Sequence, residues 1–379
     1  MIASRTYLDH NATAPLRPEA LAAMTAAMRV CGNPSSVHHE GRRARAIIET
    51  AREQVAKLVH AKPLEVVFTS GATEANNWVA ASGEWAAILS AGIEHDSVRG
   101  PIAGASAALV SLQVSLDGLV AVDEIARHGL SGAAAMGRTL VMLQMANNET
   151  GILQPVASVA AFCRAHDLHI HTDAVQMPGR LLIDFAELGV DSLSLSSHKL
   201  GGPAGAGALV IRDGVKLASF MTGGGQERRR RAGTENLIGI AGFGAAAEAA
   251  RNDVATTARL ARLRDMLEAG IRELTPSAVI VGAASPRLPN TTSVAVPGQT
   301  AETLVIKLDL AGIAVSAGAA CSSGKVGASH VLTAMGLAPE ITNNAIRLSL
   351  GWNSSEADVA TFLNVWGEVT RSRARRAVA

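Results

Sequence analysis

An α/β architecture, with a mainly parallel sheet covered by helices on both faces, is expected from three features of the sequence. Apolar runs suited to strands alternate with amphipathic helical patterns through the first two-thirds of the chain. The 379 residues, 48% of them hydrophobic and 18% charged, are enough for a large core and for two domains. The character then changes after a long helix starting near Thr234, where helices mix with short strands. A smaller α+β domain is read from about residue 252 onward.

The elements follow in order. Glu65–Thr69 reads as a strand running into Ser70-Gly71-Ala72-Thr73-Glu74, a turn that opens a helix. Trp85–Leu89, Thr139–Leu143, His169–Asp173 and Gly207–Ile211 are the next strands of the same kind, and Asp191–Ser196 alternates polar with apolar residues. Amphipathic helices are expected over Gly41–Val59 and over Pro155–Asp167, the latter with proline near its start. In the later part, helices are read at Thr257–Leu274 and Ala301–Ala311, with strands at Ile313–Ser316 and Ala345–Leu350. The last helix opens on the capping box Ser355-Glu356-Ala357-Asp358 and runs into a basic tail near Arg371. Gly223-Gly224-Gly225 marks a loop.

Composition narrows the function classes. A net charge of +1 gives no electrostatic reason to expect nucleic acid or an anionic membrane surface. Met1–Arg5 lacks the apolar core of a signal peptide, and no run of about 18 apolar residues occurs. Cys31, Cys163 and Cys321 are widely spaced and odd in number, which disfavours a disulfide framework and fits a reducing cytoplasm.

In open α/β sheets the site lies at the carboxyl ends of the strands, where Thr69, Asp173 and Lys199 fall. Lys199, in Ser196-Ser197-His198-Lys199-Leu200-Gly201-Gly202, follows a strand and opens a glycine-rich turn. A desolvated lysine near other cations loses proton affinity and becomes a nucleophile of the Schiff-base type, most often one that holds pyridoxal phosphate. Asp173, 26 residues earlier, is placed to keep a pyridine nitrogen protonated; a helix N-cap is the competing reading. Ser70-Gly71-Ala72-Thr73 offers N–H groups and a hydroxyl to a phosphate, or is an ordinary capped turn. His95 follows a strand and is a candidate stacked proton shuttle on account of its near-neutral pKa, with a structural histidine as the alternative. Arg347, a charge on an apolar strand, suits a bidentate carboxylate or an internal salt bridge. Cys321 sits in Ser316-Ala317-Gly318-Ala319-Ala320-Cys321-Ser322-Ser323-Gly324-Lys325, small residues that suggest an exposed, mobile loop with a reactive thiol.

Several segments together resemble the cysteine desulfurase family of class-V aminotransferase-like enzymes. They are Tyr7-Leu8-Asp9-His10-Asn11-Ala12-Thr13, Asn33-Pro34-Ser35-Ser36-Val37-His38, Phe68 to Asn77, Ala146-Asn147-Asn148-Glu149-Thr150-Gly151, His171 to Gln176, Gly223 to Arg228 and Gly233-Thr234-Glu235-Asn236. The resemblance runs from about Tyr7 to Gly351. It implies pyridoxal phosphate fold type I (aspartate aminotransferase-like) and a homodimer. It also implies a large domain over 15–251 and a small one built from 1–14 and 252–379.

By position it implies Lys199 as the cofactor's Schiff-base lysine, Asp173 as ring-nitrogen partner, His95 as stacked acid/base and Gln176 on the phenolic oxygen. Ala72, Thr73, Ser196 and His198 would hold the phosphate, with Thr234 from the other subunit. Asn148 and Arg347 would receive the carboxylate of L-cysteine, and Cys321 would accept its sulfur. Eight residues on lies Ser329 in Ser329-His330-Val331-Leu332, as in the subgroup with a long cysteine loop. A sulfur-acceptor protein, whether scaffold or carrier, is the implied partner. Two departures stand out: Pro203-Ala204-Gly205 where the family often has lysine, and the basic run Arg228–Arg231. A selenocysteine lyase or small-acid aminotransferase would share all but the need for Cys321. A metal-binding scaffold would draw on His166, His169 and His171.

Overall fold

The computed structural model describes residues 5–253, 255–318 and 327–371, the side chain of residue 133 excepted. Its main sheet has the spatial order Val66–Thr69, Gly207–Ile211, Ser192–Ser196, His169–Asp173, Thr139–Met142, Ala87–Ala91, Ala108–Leu112. The run from Ser192–Ser196 to Ala108–Leu112 is parallel throughout, whereas Gly207–Ile211 is antiparallel to both its neighbours. That single reversal turns Val66–Thr69 back into the direction of the parallel set. The carboxyl ends at Thr69, Ala91, Met142, Asp173 and Ser196 therefore share one edge, where an α/β sheet places its ligand.

The reversed strand meets this edge at its start, and Gly207 is needed there. A Cβ on Gly207 would fall 2.6 Å from the Gly71 Cα and 2.7 Å from the Leu195 carbonyl oxygen. The missing side chain lets the turn at Ser70–Gly71 lie flat against the sheet end. Parallel strands need long crossovers, and here Asp96–Ala103, Val122–Gly129 and Val156–Ala165 supply helices between them.

One apolar core packs this sheet against helices such as His39–Leu58 and Leu237–Asn252, with Ile48, Val55, Phe68, Val141, Leu193 and Phe243 fully buried or nearly so. A second core gathers Leu8 from the beginning of the chain with Leu263, Leu304, Ile346, Phe362 and Trp366 from its end. It backs an antiparallel sheet ordered Ser316–Ala317, Ala345–Ser349, Thr291–Ala295, Val279–Ile280. Thr6–Tyr7 pairs in parallel with Ile313–Ala314.

The differences from the sequence reading have local causes. The strand expected at Trp85–Leu89 begins at Ala87, because the Trp85 indole folds back to donate to the Val79 carbonyl at 3.0 Å under Arg138. The helix expected near Thr234 starts at Leu237, where the Asn236 side chain accepts from Gly239 N. Ala108–Leu112 is an edge strand with three exposed residues, so it lacks the apolar signal of its neighbours. The capping box at Ser355 forms as expected: Ser355 N and Oγ both donate to Asp358 Oδ2, at 2.8 and 2.7 Å.

Candidate active site

A cavity of about 390 Å³ opens at the carboxyl edge of the main sheet. Nine of the residues singled out by sequence line it: Ala72, Thr73, His95, Asn148, Asp173, Gln176, Ser196, His198 and Lys199. They come from five segments far apart in the chain, each delivered by a strand end or the turn after it. Thr234 is exposed and is not among the lining residues. Arg347 lies just behind the wall, its Nη1 donating to the Asn148 carbonyl at 3.2 Å. Cys321 lies outside the described residues.

Asp173 ends its strand 6% exposed, with both oxygens engaged. Oδ1 accepts from Val175 N at 3.1 Å and Oδ2 from Asn76 Nδ2 at 2.8 Å. Asn76 is fully buried in the helix Ala72–Ala81 and organises the floor of the site. Its Nδ2 also donates to Ser97 Oγ at 2.9 Å, and its Oδ1 accepts from His171 Nε2 at 2.9 Å. Burial lowers the His171 pKa to about 3, so the ring is neutral, protonated on Nε2, and Nδ1 accepts from Ser192 Oγ at 2.8 Å.

The same network fixes His95. Its Nδ1 caps the helix Asp96–Ala103, accepting from Ser97 N at 3.1 Å, and lies 2.9 Å from Ser97 Oγ. Donors converge on Nδ1, so the ring proton belongs on Nε2. Burial is the main cause that lowers the His95 pKa, and Lys199 adds to it while Asp173 opposes it. The near-neutral value expected from sequence is thus shifted downward: a cation would need a second proton where the backbone already donates.

Lys199 Nζ donates to the carbonyls of Asn11 and Ala12, at 2.6 and 3.0 Å. Gln176 Nε2 reaches the same Asn11 carbonyl at 3.1 Å. Its Oε1 accepts from Arg180 Nη1 at 2.6 Å, which assigns the amide's orientation. His198 is half-buried; burial and then Lys199 bring its pKa to about 4, so it is neutral. Arg347 takes the internal salt bridge that competed in the sequence reading. Nη2 donates to Asp9 Oδ1 at 2.6 Å, while its buried Nε has no partner among the described residues.

Asn76, Ser97, Arg180 and Glu149 escaped the sequence reading of the site. Asn76 and Glu149 sit inside segments singled out as motifs, and a buried amide or acid in such a segment is the signal that points to them. His169 pairs with Asp191 at 3.8 Å, and among the described residues no group of three His, Cys, Asp or Glu side chains gathers as a metal would need. Cys163 is buried, and burial pushes its thiol up to about 12, whereas Cys31 is exposed.

The family model for class-V aminotransferases matches residues 6–362. The chain is 38% identical over 370 residues to "Cysteine desulfurase IscS" of Dictyoglomus turgidum, covering 95% of this chain and 93% of that protein. It belongs to the cysteine desulfurase family of class-V aminotransferases. The NifS-like protein of Rickettsia africae has the same fold, with a TM-score of 0.89 at 33% identity over 97% of this chain and 99% of that one. SspA, solved in complex with cysteine, superposes with a TM-score of 0.79 at 29% identity over 91% and 98% of the two chains.

Enzymes of this family depend on pyridoxal phosphate, and the residues of this desulfurase-family site fit that group. A Cβ placed on Gly71 or on Gly205 would meet nothing within 4 Å, so the cradle is open on both sides. The N–H groups of Ala72 and Thr73 begin a helix and have no intrahelical acceptor, which suits a phosphate. A carboxylate at Asp173 and an amine at Lys199 complete the donor set.

Proposed function

We propose that this chain is a pyridoxal phosphate-dependent cysteine desulfurase that converts L-cysteine to L-alanine. In this reading its sulfur passes to Cys321 as a persulfide and then to an acceptor protein for iron–sulfur cluster assembly or thiolation. The observation that carries the reading is the meeting of Lys199, Asp173 and the Ser70–Thr73 turn in one cavity. Gly318 and Ser329, on either side of Cys321 in the chain, both lie against Glu149, the neighbour of Asn148 on the cavity wall. The working unit would be a cytoplasmic homodimer, with Thr234 completing the partner's phosphate cradle. Its division would be a large domain over 15–251 and a small one over 1–14 and 252–379. Among the described residues no helix is long and apolar enough to cross a membrane.

Ala72, Thr73, Ser196 and His198 would hold the phosphate, Asp173 the ring nitrogen, Gln176 the phenolic oxygen and Lys199 the aldehyde carbon. When bound, the cofactor supplies an electron sink conjugated to the substrate's α-carbon. The chain's residues do the rest. Arg347 would exchange its contact with Asp9 for the substrate carboxylate, assisted by Asn148, and its unpartnered Nε is a further donor for that anion. Lys199 would take the α-proton, and the Asn11 and Ala12 carbonyls that accept from its Nζ would orient the amine for that transfer. His95 would stack on the ring and hold a proton at Nε2. Cys321, as thiolate, would attack the substrate sulfur. A sulfur–sulfur bond forms, the carbon–sulfur bond breaks with its electron pair left on carbon, and protonation of that carbon together with return of the α-proton from Lys199 gives alanine.

The test is product analysis of the cofactor-loaded protein given L-cysteine. Alanine should form with sulfur on Cys321. Replacing Lys199 with alanine should abolish turnover, and replacing Cys321 should stop sulfur transfer while leaving the cofactor bound. Pyruvate in place of alanine, or transamination of keto acids at a comparable rate, would contradict the reading.

A further inference from the structure

Glu149 has no part in the chemistry above, yet it is 3% exposed and directed at the two ends of the segment that carries Cys321. Ser329 Oγ donates to Glu149 Oε2 at 2.5 Å and accepts from Leu332 N at 3.1 Å, so the hydroxyl ties the carboxyl to the helix His330–Ala334. Gly318 closes the same contact from the other side. A Cβ there would fall 2.5 Å from Glu149 Oε2 and 3.1 Å from the Ser329 Cβ. Gly318 and Ser329 stand three residues before and eight after Cys321.

The turn that carries the carboxyl is held from its own side. Asn147 Oδ1 accepts from the backbone N–H groups of both Glu149 and Thr150 at 2.9 Å, so Asn148, on the cavity wall, and Glu149, against Ser329, share one short turn. His330 adds a second tie, its Nε2 donating to the carbonyl of Glu94, the residue before His95, at 3.1 Å.

We infer that Glu149 is a positioning residue for sulfur transfer: bonded to Ser329 and packed against Gly318, it registers the two flanks of the Cys321 segment on the turn that presents Asn148. The inference rests on the proposed role of Cys321. A displaced anchor shifts Gly318 and Ser329 relative to the turn that presents Asn148, and misplacement of that kind costs tenfold or more without any contact to the reacting atoms. The steps at the substrate's α-carbon, which need only the cavity residues, proceed as before.

The experiment is single-turnover labelling of the persulfide on the cofactor-loaded full chain, alongside the cysteine-induced change in cofactor absorbance. Glu149→Ala, Ser329→Ala and Gly318→Ala should each slow persulfide formation on the order of tenfold, with the absorbance change keeping the wild-type rate. Glu149→Gln keeps an acceptor oxygen for Ser329 and should recover most of the rate. The Glu149→Ala, Ser329→Ala double variant should be little worse than either single. Wild-type persulfide rates in Glu149→Ala and Gly318→Ala would overturn the inference, as would equal slowing of the absorbance change. Should Glu149→Ala fail to fold, Ser329→Ala and Gly318→Ala decide by the same criteria. Absence of any persulfide on wild-type Cys321 would instead sink the proposed function.

Discussion

Asn76 Nδ2 lies 2.8 Å from Asp173 Oδ2, and the same amide nitrogen lies 2.9 Å from Ser97 Oγ, the hydroxyl beside His95. One buried amide thus orients the expected ring-nitrogen partner and the expected stacking residue together. Asn76→Asp would set a second carboxylate against Asp173, and like charges at that distance cannot both ionise in a buried site. The proton shared between them weakens the anion that the ring nitrogen needs. Turnover should fall by about 10- to 100-fold, with a shifted absorbance of the bound cofactor. An unchanged spectrum and rate would show that Asp173 needs no such support.

His95 gives a pH prediction. Burial lowers its pKa below the ordinary 6.5, so the ring is neutral across the physiological range and charges only in more acidic solution. An acid limb in the kcat/KM profile that disappears in His95→Gln should lie below 6.5. A limb at or above 6.5 that the substitution removes would contradict the downward shift.

His171 makes the fold acid-sensitive. Its folded pKa of about 3 lies below the unfolded value of 6.5, so the unfolded chain binds the extra proton first as pH drops. Its stabilising contribution is complete above about 6.5 and is lost progressively toward 3. Denaturant midpoints measured from pH 7 to pH 4.5 should fall in the wild type and fall less steeply in His171→Gln. Glu149, raised to about 7 by burial, acts in the opposite sense: its contribution is present below the carboxyl's ordinary 4.5 and is lost as pH rises toward 7. The comparison is therefore between variants rather than between absolute slopes.

Arg52 and Glu227 form a buried two-pronged pair, Nη1 to Oε2 at 2.7 Å and Nη2 to Oε1 at 2.8 Å. Glu227 Oε2 also accepts from Phe68 N at 3.0 Å, beside the strand that leads to the phosphate turn. The backbone of Glu227, Arg228 and Arg229 is left-handed (φ 46°, 57° and 65°), and the ion pair holds the first of these residues in place. Arg52→Ala leaves the Glu227 carboxylate buried without its cation, at a cost of about 3–5 kcal/mol. Thermal or denaturant unfolding checks this, and a loss below about 1 kcal/mol would place the pair among weak surface contacts.

Much of this cavity could be read from the chain because several of its lining groups lie at strand ends: Asp173 closes the strand His169–Asp173, and Lys199 follows the alternating run Asp191–Ser196. The supporting groups were harder to see. Thr291–Ala295 is buried along its whole length, but its Thr-Thr-Ser start reads as polar. Those hydroxyls are satisfied internally, Thr291 Oγ1 accepting from Asn11 Nδ2 and Thr292 Oγ1 donating to Glu268. Asn11 was visible only as part of a motif, because its side-chain partners, Asn148, Thr291 and Asn290, lie far away in the chain and its contact with Lys199 uses a backbone carbonyl that any residue has. Arg347 fitted two readings because its strand fixes burial and not the partner. The partner, Asp9, comes from 338 residues away.

The most direct measurement is peptide mass spectrometry of Cys321 after brief exposure of the cofactor-loaded protein to L-cysteine. Cys31, an exposed thiol, serves as the internal control. The Cys321 peptide should gain the mass of one sulfur atom in step with alanine release, and Lys199→Ala should show neither. Alanine and sulfide produced at the wild-type rate by Cys321→Ser, or added sulfur on Cys31 alone, would contradict the account.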